Sequence, residues 1–302
     1  MLLNDMERFL NHLRIEKSAS ELTLVSYRTD LDQFFKFVAD QNSLEINQIG
    51  YEKINHQIVR QYLIYLQDNN FKRSSIARKL ASIRSLIKYL CREGIISSNP
   101  IAAVSTPKQD KTLPKFLYPQ EIELLLNAPD NSYLGLRDKA IMETLYATGT
   151  RVSELVGLNI SDLDLQEDLV RVWGKGSKER IIPLGRMAKS SLLNYLQQSR
   201  PFLLRSHQGN IDALFLNKNG TRLSDRSIRN ILNKYVEMVA INQKISPHGI
   251  RHTFATHLLN NGADLRSVQE LLGHIKLSTT QIYTHLTKER IKNIHNDTHP
   301  RR

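Results

Sequence analysis

Residues 246–286 read SPHGIRHTFATHLLNNGADLRSVQELLGHIKLSTTQIYTHL, and this stretch organises the chain. Its punctuation predicts three short helices in succession. The first starts at Ser246-Pro247, runs through Leu259 and stops at Asn261-Gly262, where Gly262 suits a left-handed cap. Asp264 caps a second helix over 265–272, which Gly273 ends. Ser278-Thr279-Thr280-Gln281 fits a capping box for a third, with Tyr283 in its first turns. Short helices joined by tight caps present side chains at their ends as well as along their faces, and His274 falls just beyond one such end.

The polar residues of the stretch converge on one kind of ligand. His248 and Arg251 lie three apart on one face of the first helix, so both can reach a single small group. An arginine fork matches the two non-bridging oxygens of a phosphate. A tyrosine hydroxyl has an ordinary pKa of about 10 and attacks only when cations stabilise its developing charge and a base takes its proton. Imidazoles and a guanidinium supply those needs, and no cage of carboxylates for a metal accompanies them. The pattern predicts covalent transesterification at a phosphodiester, with no metal and no cofactor. His252 and His257 do not extend it to a zinc site, because HExxH is missing and a spacing of five turns them off a common face.

Composition agrees with a polyanionic partner. The 302 residues carry 42 Lys plus Arg against 30 Asp plus Glu, a net charge of +12. Cys91 stands alone, which excludes a disulfide framework and a cysteine metal site. No signal peptide, lipidation motif or apolar run of membrane-spanning length is present, so a cytoplasmic protein without a membrane is expected.

Residues 1–104 read as helical throughout. Helices are expected over 6–16, from a capping box at Ser18 to Glu21 with Leu22, Val25, Leu31, Phe34, Phe35 and Val38 inward, over 56–67, and over 74–91. The last has Ile76, Leu80, Ile83, Leu86, Ile87 and Leu90 on its apolar face. Arg73, Arg78, Lys79, Arg84, Lys88 and Arg92 occupy the rest, either as a solvated face or as a row of DNA backbone contacts. Polar residues 105–114, with two prolines, read as a linker. The expected division is a helical domain 1–104, a linker 105–113 and a second domain 114–302.

In the second domain, helices are expected over 119–126 and 136–147, with Gly149 capping the second. Arg151 then opens a further helix, where backbone N–H groups favour an anion. Glu154, three residues on, either buttresses Arg151 or forms a surface pair with it. Residues 169–173 and 179–184 carry the clear β signal, and Gly174 to Lys178 between them reads as a hairpin turn with Lys175 at its tip. The Walker spacing is absent, so this loop is not read as a nucleotide site. The acids at 162–168 alternate with apolar residues and read as a solvated turn. Further helices are expected over 186–199 and 225–239, separated by a short strand and turn over 214–223.

Three phrases together carry a resemblance. They are Thr148-Gly149-Thr150-Arg151-Val152-Ser153-Glu154-Leu155, the run Ser246 to His257, and Leu271-Leu272-Gly273-His274 followed by Ser278 to His285. They resemble the signature of the tyrosine recombinases, the lambda-integrase family, and most of all its bacterial XerC/XerD branch, which resolves chromosome dimers. The resemblance implies a mainly α fold with a small β-sheet in the C-terminal domain. It also implies a two-domain clamp on DNA, built from a helical SAM-like core-binding domain and a catalytic integrase domain.

On the same resemblance Tyr283 is the nucleophile, and Arg151 and Arg251 hold the phosphate oxygens. Lys175 protonates the leaving 5′ oxygen, with Lys178 as local competitor, while His248 and His274 assist proton transfer and hydrogen bonding. Double-stranded DNA with a specific recombination site is the implied partner. The implied assembly is a homotetramer, or a heterotetramer with a related recombinase, with a septal DNA translocase as a possible activator. The tail 286–302 is implied to dock into a neighbouring protomer; a frayed basic tail is the plainer reading. A mobile-element integrase, a topoisomerase of the same chemistry and a non-catalytic DNA-binding regulator are the competing functions. Ile275 and Ile250 depart from the branch's usual serine and leucine without touching a chemical group.

Overall fold

The computed structural model describes residues 2–106, 116–174, 179–205, 211–241, 245–273 and 285–302, with 285–288 as backbone. The chain divides into two compact units, Met1–Thr112 and Leu113–Arg302. None of the described helices is long and apolar enough to cross a membrane.

The first unit is built from α1 (Leu2–Ile15), α2 (Glu21–Asn42), α3 (His56–Asp68) and α4 (Arg73–Arg92). Phe9, Leu31, Phe34, Phe35, Tyr62, Leu66, Leu80 and Leu90 fill its interior, each almost wholly shielded from water. All six residues expected on the apolar face of α4 are buried.

Three details differ from the sequence reading. The cap of α2 is Ser20, whose hydroxyl accepts the Thr23 N–H at 3.3 Å, and Ser18 sits outside the helix at φ +47°. Leu22 and Val25 are exposed, because Leu24 and Leu31, seven apart, set the inward stripe and Leu22 lies some 200° away from Leu24 around the helix. Lys79 is not on the charged face. It is buried against Asp30 at 3.1 Å, in a pocket that Arg78 and Ser82 also enter. Asp30 is itself fully buried, and a buried carboxylate without such donors would be costly.

The second unit surrounds α6 (Tyr133–Thr148), which follows α5 (Pro119–Asn127). Every residue of α6 from Ala140 onward is buried, so the helix is a central post and not an amphipathic surface element. Its threonines are satisfied locally: Thr144 donates to the Ala140 carbonyl at 2.7 Å and Thr148 to that of Thr144 at 2.6 Å. Around it lie α7 (Val152–Gly157), α8 (Gly185–Asn194), α9 (Arg200–Leu204), α10 (Asp225–Met238), α11 (Pro247–Asn260), α12 (Leu265–Leu272) and α13 (His285–Thr298). The expected helix over 186–199 is α8 followed by a wider turn, Tyr195–Ser199, of π type.

The sheet is antiparallel, in the order β1 (Leu163–Asp164), β2 (Leu169–Trp173), β3 (Glu179–Pro183). Val172 pairs with Arg180 across the hairpin. The strand expected within 214–223 is reduced to single bridges, Leu216 with Arg222 and, nearby, Asn159 with Ala213. The neighbouring acids are spent on local structure: Asp162 accepts the Asn159 N–H and Asp164 those of Gln166 and Glu167, while Asp168 pairs with Lys189.

Candidate active site

Arg251 is placed by the start of α11. Ser246 caps that helix by accepting the Gly249 N–H at 3.2 Å, and Pro247 occupies its first turn, where a missing N–H costs nothing. His248, one residue further, is exposed, and Arg251 points inward and is 5 % exposed. Its Nη1 donates to the Gly149 carbonyl at 2.7 Å and its Nη2 to the Leu272 carbonyl at 2.6 Å. The guanidinium is thus held between the last turn of α6 and the last turn of α12. Burial, with the charge of Arg151 next in importance, pulls its pKa down to about 10, so it is still a cation at neutral pH. An arriving anion would relieve both penalties.

Gly149 is required for two separate reasons. It ends α6 in the left-handed region at φ +55°, and a Cβ there would lie 2.4 Å from the Phe254 ring. The close approach of α11 to this turn is what brings the Arg251 fork to the Gly149 carbonyl.

Arg151 is two residues beyond that carbonyl and precedes the first residue of α7. One of the N–H groups at this helix start, that of Arg151 itself, is taken by the Glu154 carboxylate at 2.7 Å. The same carboxylate accepts from Arg151 Nη1 at 2.7 Å. Glu154 is therefore the buttress of Arg151 and not a surface pair: it is buried, while the Arg151 side chain keeps 45 % of its surface open. Burial alone would raise the Glu154 pKa, but hydrogen bonds and charge from Arg180, with those from Arg151, carry it below the ordinary carboxylate range. Glu154 is an anion that holds two cations.

The structure sets Arg151 close enough to Arg251 for their charges to interact, with His248 three residues before Arg251 on α11. Lys175, Lys178, His274 and Tyr283 lie outside the described residues. The segments that lead into them are described: β2 and β3 on either side of the lysine turn, α12 ending at Gly273 in the left-handed region, and α13 beginning at His285. Gly273 directly precedes His274, and a Cβ on it would meet Arg180 Cδ at 3.3 Å.

Comparison with known proteins decides the family. Residues 115–290 match the model of the phage integrase family, and residues 6–94 match that of the phage integrase N-terminal SAM-like domain. The chain is 50 % identical to the tyrosine recombinase XerC of Pelotomaculum thermopropionicum over 98 % of both chains. It is 45 % identical to XerC of Bacillus subtilis strain 168, over 99 % of this chain and 97 % of that one. The chain belongs to the phage integrase family of tyrosine recombinases.

Another relative of this recombinase is the tyrosine recombinase XerD of Oceanobacillus iheyensis, 44 % identical over the whole of both chains. Solved structures share its fold. A lambda integrase tetramer on a Holliday junction aligns over 92 % of this chain and 75 % of that one with a TM-score of 0.69 at 19 % identity.

The tail of the recombinase packs on its own catalytic unit. His295 Nε2 donates to the Ala147 carbonyl at 2.9 Å, and the His299 ring stacks on His295 at 4.6 Å. Arg301 forms a two-pronged pair with the buried Glu143 of α6, at 3.1 and 2.5 Å. The tail is not the frayed basic end of the plainer reading. His257, weighed and rejected as a zinc ligand, is a packing residue: Nε2 donates to the Leu117 carbonyl at 2.9 Å and Nδ1 accepts the Tyr146 hydroxyl at 2.7 Å.

Sequence reasoning missed Arg180. Its only signal is phase: on β3 it shares a face with the buried Ile182, and a charged residue in an inward register must have found partners.

Proposed function

We propose that the protein is a site-specific DNA recombinase that cuts and rejoins duplex DNA through a 3′-phosphotyrosyl intermediate. The observation that carries the reading is the pair of guanidiniums, Arg251 pinned by two backbone carbonyls and Arg151 pinned by Glu154, at one end of α6. A guanidinium has five N–H donors, and Arg151, whose side chain keeps 45 % of its surface open, can meet a phosphate with donors that Glu154 does not use. Two cations preset at one place stabilise the charge on a pentavalent phosphorus without reorganising at the moment of reaction.

In this mechanism the Tyr283 hydroxyl attacks the scissile phosphorus. The Tyr283 oxygen–phosphorus bond forms as the bond from phosphorus to the 5′ oxygen breaks. His248 assists removal of the tyrosine proton, Lys175 protonates the departing 5′ oxygen, and His274 donates a hydrogen bond to the phosphate. The phosphotyrosyl bond conserves the energy of the phosphodiester, so a 5′-hydroxyl of a partner strand reseals it with no cofactor. Four such sites on two duplexes complete an exchange, which calls for a homotetramer or a heterotetramer with a related recombinase. The tail that packs in place on one protomer would, in that assembly, dock on a neighbour.

Chromosome or plasmid dimers at cell division, in the cytoplasm, are the substrates this reading favours. A septal DNA translocase is the activator it would take. In the helical unit, the row of α4 with exposed Ser74, Arg78 and Lys88 and half-buried Ser85 is the surface proposed to lie along the DNA backbone.

The test is a nicked suicide substrate incubated with the protein in the absence of divalent metal and resolved on a denaturing gel. A covalent adduct that disappears in Tyr283→Phe is the expected result. An adduct that persists in that variant would remove Tyr283 from the role of nucleophile.

A further inference from the structure

Arg180 contacts three segments of the site at once. Its Nη1 and Nη2 donate to the two oxygens of Glu154 at 3.0 and 2.7 Å, and its Nε donates to the Leu271 carbonyl at 3.1 Å. The side chain is only 7 % exposed, and its aliphatic stem lies against Gly273. It stands on β3, two residues after the lysine turn ends. Each contact leads to a site residue. Glu154 holds Arg151; Leu271 is followed by Leu272, whose carbonyl holds Arg251, and then by Gly273 and His274.

We infer that Arg180 is a positioning residue for DNA cleavage, a fixed post that ties the strand carrying the lysine turn to the carboxylate behind Arg151 and to the end of α12. The inference rests on the recombinase reading above. Stability alone gives a poor reason for this arrangement, since a buried ion pair is on average no better than well-packed apolar side chains of the same volume. Inward neighbours of Arg180 on the sheet, Val170, Val172 and Ile182, are apolar and fully buried, so the site accepts such residues on either side. An arginine supplies what they cannot, which is a rigid planar fork that sets the angle of Glu154 and the height of a backbone carbonyl together. A lysine in its place could reach one of those acceptors as a point charge and would leave the geometry unset. Displacements of about an ångström in such a scaffold cost roughly a hundredfold in rate.

The test uses the full-length protein, Arg180→Lys, and the suicide substrate in two forms. One form carries the normal scissile phosphate. In the other a methyl group replaces one non-bridging oxygen, which removes the charge that Arg151 and Arg251 would compensate. DNA affinity of Arg180→Lys should stay within twofold of wild type while adduct formation at saturating DNA falls at least tenfold. On the neutral substrate the deficit should shrink to threefold or less. Wild-type cleavage on the normal substrate, or an equal deficit on both substrates accompanied by a matching fall in thermal midpoint, would overturn the inference and leave Arg180 a structural residue. Should Arg180→Lys not fold, Glu154→Gln, which keeps the shape and removes the charge, must show the same selective rescue for the inference to stand. Absence of any adduct with the wild-type protein would instead bring down the recombinase reading, and this inference with it.

Discussion

Arg251 and Gly149 lie 102 positions apart in the chain and meet at 2.7 Å through a guanidinium and a backbone carbonyl. The contact requires α11 to approach the end of α6 so closely that a side chain on Gly149 would overlap the Phe254 ring.

Gly149→Ala tests that relation. The substitution combines a left-handed backbone with an overpacked contact, and together these should lower stability by about 2–4 kcal/mol. Urea denaturation measures the loss. Adduct formation per folded molecule should also fall by about tenfold or more, since the Arg251 anchor moves with the turn. A stable variant with full cleavage would show that the turn can shift without disturbing Arg251.

Asp30 is the electrostatic centre of the first unit, with Arg78, Lys79 and Ser82 donating to a carboxylate that no water reaches. Asp30→Ala leaves Lys79 buried without its ion-pair partner and should cost about 3–5 kcal/mol. Hydrogen exchange should register the loss in α2 and α4 first. Unchanged protection there would mean that Lys79 finds a new route to solvent.

Acid should loosen the catalytic unit through its buried histidines. Burial pushes the His295 pKa down to about 4 from the ordinary 6.5, and pushes those of His299 and His257 down too. Above pH 6.5 folded and unfolded chains are both neutral at these rings, and the shifts have no effect. As pH falls below 6.5 the unfolded chain takes up protons that the folded chain refuses. Stability should then drop by up to about 1.4 kcal/mol per pH unit for each ring, with His295 ceasing to contribute below about pH 4. Urea midpoints at pH 7, 6 and 5 give the slope; a flat or rising trend would contradict it.

The Arg301 pair with Glu143 fastens the tail. Burial raises the Glu143 pKa, opposed by Arg301, so Arg301→Met leaves a buried carboxyl without its counter-charge and pushes its pKa further up. The tail should then become accessible to protease at neutral pH, at an expected cost of about 3 kcal/mol. Glu143→Gln combined with Arg301→Met should recover part of that loss, which a thermal melt can read.

Residue order by itself determined the local structure and the list of chemical groups. Caps at Ser246, Asp264, Gly149 and Gly273 stand where the sequence predicts them, because a cap depends on φ and on donors a few residues away. The apolar face of α4 is legible for the same reason, since helical period is a local property. Phase was harder to read on α2, where Leu22 and Val25 are exposed and only packing shows which stripe faces inward. Only the tertiary structure decided which charges are partners. Lys79 looks like one more cation on a basic face and is buried on Asp30; Glu154 reads equally well as a surface pair; Arg180 carries no motif at all. The partners are separated by 49 residues in the first case and 26 in the last, and the carbonyls that hold Arg251 lie 102 and 21 residues away from it. Hydrogen bonds across such separations exist only once the helices have packed, because burial makes an unpaired charge too costly to leave and the fold sets which donor is within reach.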